Sequence, residues 1–133
     1  MRQPVRSDRG QTIVEFAICS LLFFMVIFGV AGFGIAVWRH NLVSDLAQEG
    51  ARWASVRGST ATSPATDATV QAFVQGRATG LMTPLPTSVT TWPSGSAAPG
   101  GVVRVVVSHT FTPAMAFVPT MTFQSQAEMI IAR

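Results

Sequence analysis

Apolar and polar positions along this chain change period twice, and each change predicts a different element. From Phe16 to Trp38 there is no Asp, Glu, Lys or Arg. That run is 23 residues long, about 35 Å of helix at ~1.5 Å per residue, and a bilayer core of ~30 Å is crossed by roughly 20. Backbone in hydrocarbon must satisfy its own hydrogen bonds, so the run is read as one transmembrane helix despite Gly29, Gly32 and Gly34. Gly32 and Ala36 form a small-x-x-x-small pair, the spacing that lets two helices pack closely. Trp38, Arg39 and His40 read as the far interfacial belt. An ordinary cleaved signal sequence has a shorter apolar stretch and a small-residue cleavage site after it, and neither fits here.

Past the span the helical period continues. Leu42, Val43, Leu46, Ala47, Gly50, Trp53, Ala54 and Val56 recur three and four apart, with Asp45, Gln48, Glu49 and Arg52 on the remaining face. This predicts one helix from about Thr12 to Arg57, with Gly58 as its stop. Trp53 is read as a core anchor, and Glu49 with Arg52 as a solvated i,i+3 pair. Residues 58–66 are a polar linker, and either Ser63-Pro64 or Thr66 starts a second helix. Val70, Phe73, Val74, Ala78 and Leu81 give that helix one apolar face, and Gly80 ends it. The Pro- and Gly-rich stretch 83–101 is loop around a short strand at 88–92.

The period then falls to two. Val103, Val105, Val107, His109 and Phe111 share one face, as do Met121, Phe123, Ser125, Ala127, Met129 and Ile131. The expected fold class is α+β: a long N-terminal helix, then a small head in which the second helix packs on an antiparallel hairpin or three-stranded sheet. A bare hairpin is marginal in water, so its apolar face needs the helices.

Composition changes this picture little. The 133 residues fit one small domain plus one span, and mean hydropathy is high at +0.39. The net charge of +3 and pI near 11.1 suggest a nucleic-acid binder until the charges are located. All nine basic residues are arginine, and Arg2, Arg6 and Arg9 lie in the first ten positions. After Gly10 six arginines face five acids, which leaves no basic stripe and argues against nucleic acid as a partner. The N-terminal arginines place the N-terminus in the cytoplasm and the head outside, although Arg39 sits on the translocated flank. Cys19 is alone, so neither a disulfide within the chain nor a cysteine-based metal cluster is expected.

Glu15 is the residue that does not belong beside an apolar run. The plain reading is an acid that marks the membrane edge. The sharper one uses spacing: a cut after Gly10 would make Glu15 the fifth residue of a new chain, and Phe16 the sixth. A basic leader, Gly, four residues, Glu, an aromatic and a long apolar helix resemble type IV prepilins. More narrowly, Arg9-Gly10-Gln11-Thr12-Ile13-Val14-Glu15-Phe16-Ala17, with Asn41 and Gln48-Glu49-Gly50-Ala51-Arg52 after the span, resembles the TadE-like family of tight-adherence pilus systems. The resemblance covers residues 9–57. Relatives commonly carry a proline shortly after the Glu-Phe pair, whereas Ile18-Cys19-Ser20-Leu21 stands here, so it implies no helix kink.

The resemblance implies a leader at 1–10, a transmembrane and stalk helix at 11–57 and an extracytoplasmic head at 58–133. It implies a bacterial inner-membrane minor pilin or pseudopilin, cut between Gly10 and Gln11 by a prepilin peptidase. Other implied partners are pilin subunits, the assembly platform and the membrane, with surface attachment or secretion as the role. Glu15 and Phe16 would govern assembly and register: the carboxylate, costly near hydrocarbon unless paired, meets the amine freed at Gln11. A different reading keeps the same anchor but leaves the chain unprocessed, as an accessory protein whose head binds a partner. An enzyme is not expected. No catalytic constellation, phosphate loop or cofactor motif is present; His40 and His109 have no metal-ligand spacing, and Asp45 with Glu49 are too few for a cation.

Overall fold

The computed structural model describes residues 8–78, 80, 82–112 and 119–132. Two helices and three strands follow in the order α1 (Asp8–Ser55), α2 (Asp67–Ala78), β1 (Thr87–Thr91), β2 (Val102–Phe111) and β3 (Met121–Ile130). The strands form one antiparallel sheet in the order β1-β2-β3, the three-stranded form of the expected α+β head. The chain divides into two compact units, residues 1–36 and 37–133.

In the second unit the core forms between the outer part of α1, α2 and the inner face of the sheet. Val43, Leu46, Ala47, Ala51 and Ala54 are buried on α1, Val70, Val74 and Ala78 on α2, and Val103, Val105 and Val107 on β2. The alternation of β2 is the sequence pattern made visible, because successive side chains point to opposite faces. Register pairs Val103 with Met129, Val105 with Ala127 and His109 with Phe123. At Gly50 the packing is closest: a Cβ there would lie 3.2 Å from a Val74 methyl and 3.3 Å from one of Val105. Both helices and the central strand converge on that missing side chain.

Of the two expected starts for α2, the chain uses Thr66. The Thr69 N–H donates to Thr66 Oγ1 (3.3 Å) and the Thr66 N–H donates to Thr69 Oγ1 (2.9 Å). This is a capping box with threonine in the place usual for Glu. Asp67 in the first turn complements the helix dipole.

Four expectations change. Helix α1 ends at Ser55, not Arg57, because the Ser55 carbonyl accepts the Ala132 N–H (2.8 Å) from the end of the chain. Gly58 is therefore not the stop, and it has no positive φ. Val56, read as core, lies past that end and is half exposed, while Ala51 takes an inward place. Glu49 pairs with Arg77 of α2 (3.5 Å), since α2 runs alongside and brings a cation nearer than Arg52. Leu81 and most of the turn expected at 113–119 lie outside the described residues.

Candidate assembly site

In the first unit α1 is apolar all round and uncovered. Ile13, Phe16, Leu21 and Phe33 are each about 70 % exposed (68, 73, 68 and 72 %). A surface helix of a soluble domain buries one apolar stripe and shows a polar face. Here Phe24 packs beside Phe23 and Phe28, with ring centroids 5.7 and 6.1 Å apart, on an open surface. By length and composition this one helix suffices to cross a membrane near the N-terminus.

The residues that spacing singles out all fall on this helix. Gly10 and Gln11 lie in its first turns and line one strip with Val14, Glu15, Ile18 and Cys19. Glu15 is thus one turn from Gln11 on the same strip, while Phe16 lies on the neighbouring strip with Cys19, Ser20, Phe23 and Phe24. At Gly32 nothing stands within 4 Å of a notional Cβ, and Ala36 is half exposed. The surface around Gly32 is open to a second helix. Cys19 is free and exposed.

The second unit holds two clusters that spacing did not reveal. Arg39 Nη1 lies 2.8 Å from His109 Nε2, and the guanidinium sits 4.3 Å from the Phe111 ring centroid. Arginine can only donate, so Nε2 accepts and the proton of the neutral imidazole is on Nδ1. Burial, then the Arg39 charge, hold His109 below the ordinary histidine pKa, with the Pro84 carbonyl pulling the other way. The inward position of His109 among β2 valines was the available signal. The second cluster stacks Trp53 on Phe73 (5.3 Å), with Arg57 over Trp53 (4.1 Å) and Arg77 over Phe73 (5.5 Å). Trp53 is half-buried at the edge of the core. His40 is exposed, its ring edge-on to Phe123 at 6.3 Å. Among the described residues no three His, Cys, Asp or Glu side chains come together as metal ligands.

No curated protein and no solved structure matches the chain. The family model described as TadE-like protein matches residues 10–52, from Gly10 through the uncovered helix to Arg52. Over that N-terminal segment, about a third of its length, the chain is similar to TadE-like proteins.

Proposed function

We propose that the chain is a minor pilin or pseudopilin of a tight-adherence pilus, held in the bacterial inner membrane until it assembles. The observation that carries this reading is the uncovered apolar helix with a carboxylate, Glu15, one turn from Gln11. A soluble chain would not leave such a surface open, and a plain anchor needs no acid at its edge. The TadE-like match over the same residues supports a role in pilus assembly. In this reading the N-terminus is cytoplasmic, the head faces outward, and a prepilin peptidase cuts after Gly10.

The chemistry is structural, not enzymatic. Cleavage frees the Gln11 amine, and Glu15 of the same or a neighbouring subunit neutralises it as helices bundle. A charge pair in an apolar seam fixes axial register, as a polar residue does in a coiled coil. Gly10 serves the cut because it has no side chain to obstruct the scissile backbone.

The Glu15→Ala variant tests the register role. Membrane insertion is expected to be normal and co-assembly with pilin subunits lost, read by fractionation of sheared filaments and of membranes. Normal co-assembly of Glu15→Ala would reduce Glu15 to a marker of the membrane edge.

A further inference from the structure

In the second unit nearly every described acid and arginine has a partner of its own. Glu128 holds Arg104 (2.6 Å) and Glu49 faces Arg77 (3.5 Å). Asp67 Oδ1 accepts the Thr90 N–H (2.6 Å). Arg39 donates to His109, and Arg57 lies over the Trp53 ring while its Nη1 donates to the Trp53 carbonyl (3.2 Å). Among the described residues of this unit that leaves one carboxylate, Asp45, and one guanidinium, Arg52, and both are exposed.

The two leftover charges share one strip of α1. Asn41, Asp45, Gln48 and Arg52 recur four, three and four positions apart, all exposed, on the face turned away from Val43, Ala47, Gly50 and Ala54. Two turns separate Asp45 from Arg52, about 10 Å along the axis at ~1.5 Å per residue, and two turns return a helix to the same face. Neither residue engages the other within the chain. With Val56, Arg57 and the stacked Trp53 and Phe73, Arg52 also lines an open groove of about 370 Å³. That is small on the scale of ligand pockets, and its rim is rich in guanidinium.

We infer that this strip binds a second copy of the chain, whose Asp45 meets Arg52 at the mouth of the groove. The inference rests on the membrane-anchored reading above, because copies inserted in one membrane run parallel. In a parallel pair at equal height Asp45 faces Asp45 and Arg52 faces Arg52, and like charges repel. Sliding one copy along the axis by about two turns replaces both repulsions with one ion pair and sets Asn41 beside Gln48. The first copy's Asp45 and the second copy's Arg52 stay free to repeat the contact. A head-to-tail interface displaced along its axis does not close on itself, so it grows as a line of subunits. A foreign acidic protein would engage Arg52 and leave Asp45 unused, whereas a second copy uses both.

The test uses the full chain, with Cys19→Ser, reconstituted in liposomes. Asn41→Cys with Gln48→Cys places two thiols that the contact brings together and keeps Asp45 and Arg52. Copper-catalysed oxidation is expected to yield a ladder of disulfide-linked species beyond the dimer, and either new cysteine alone only traces. Adding Asp45→Arg is expected to cut the ladder about five-fold, the scale of one exposed ion pair. Adding Arg52→Asp to that variant is expected to restore it, with the charges exchanged. If Asp45→Arg lowers the thermal midpoint of the head, Arg52→Gln takes its place, with a smaller loss expected. A ladder that the charge variants leave unaffected, or that the exchange does not restore, would overturn the inference. So would a strong dimer from Asn41→Cys alone, which marks a symmetric pair at equal height. No ladder from a chain that inserts in membranes and, in cells, begins at Gln11 would refute this contact and leave the pilus role standing.

Discussion

Between Ile13 and Ile35 the side chains of α1 stand open, whereas between Val43 and Ala54 its inward ones are sealed, with Val43, Ala47 and Ala51 fully buried. One unbroken helix therefore meets two environments, and residue size separates them. The sealed part presents a narrow stripe of Val, Leu, Ala and Gly, shaped to fit α2 and the sheet. The open part presents Phe, Leu, Ile and Met on every side, which no partner within the chain could cover on one face. Narrow and small implies a fitted neighbour; broad and bulky implies an apolar solvent or a bundle of like helices.

Charge placed in either part gives the largest effects and separates the two. Val74→Asp buries an unpaired carboxylate against the sealed stripe, a cost of about 4 kcal/mol. The head is expected to unfold, read by protease digestion of residues 37–133, while membrane insertion persists. Val26→Asp adds about 3 kcal/mol to insertion at the centre of the span. It is expected to reduce membrane recovery with the head still protease-resistant. If one substitution abolished both properties, the two environments would not be separable.

A smaller effect sharpens the claim that the sealed stripe is shaped by fit. Gly50→Leu keeps the residue apolar but drives methyls into Val74 and Val105. Overpacking costs about 2 kcal/mol, lowering the thermal midpoint of the head by roughly 10 °C. The corresponding change in the open part, Gly34→Leu, meets nothing within 4 Å and is expected to leave that midpoint unchanged.

The smallest effect concerns pH. His109 has a lowered pKa in the folded head, so the unfolded chain binds the proton more readily. Stability is then complete above the ordinary histidine value of about 6.5 and declines as pH falls below it. The midpoint is expected to fall from pH 7 to pH 5, and to fall less in His109→Gln, whose amide oxygen can still accept from Arg39. Equal slopes would remove His109 from the account.

Much of this was legible in the chain. The uncharged run and the shift from a period near four to two define α1, β2 and β3, because burial imposes those periods directly. The inward position of His109 was legible too; its partner was not, since Arg39 lies seventy positions away. The helical period puts Gly50 on the inward stripe of α1, but the need for glycine there comes from the close approach of Val74 and Val105, which only the folded head creates. Tertiary contacts also explain the misplaced end of α1, where Ala132 takes up the Ser55 carbonyl, and the Glu49 pair. Spacing within one helix does not reveal either. The resemblance singles out Gly10, Gln11, Glu15 and Phe16, and the structure adds that Gln11 and Glu15 share one exposed strip.

The most direct measurement is the intact mass of the protein purified from cells that contain, or lack, a prepilin peptidase. With the peptidase the chain is expected to begin at Gln11, and without it to keep residues 1–10. An unshortened N-terminus in both would contradict processing, and would favour a permanently anchored accessory protein whose head binds a partner.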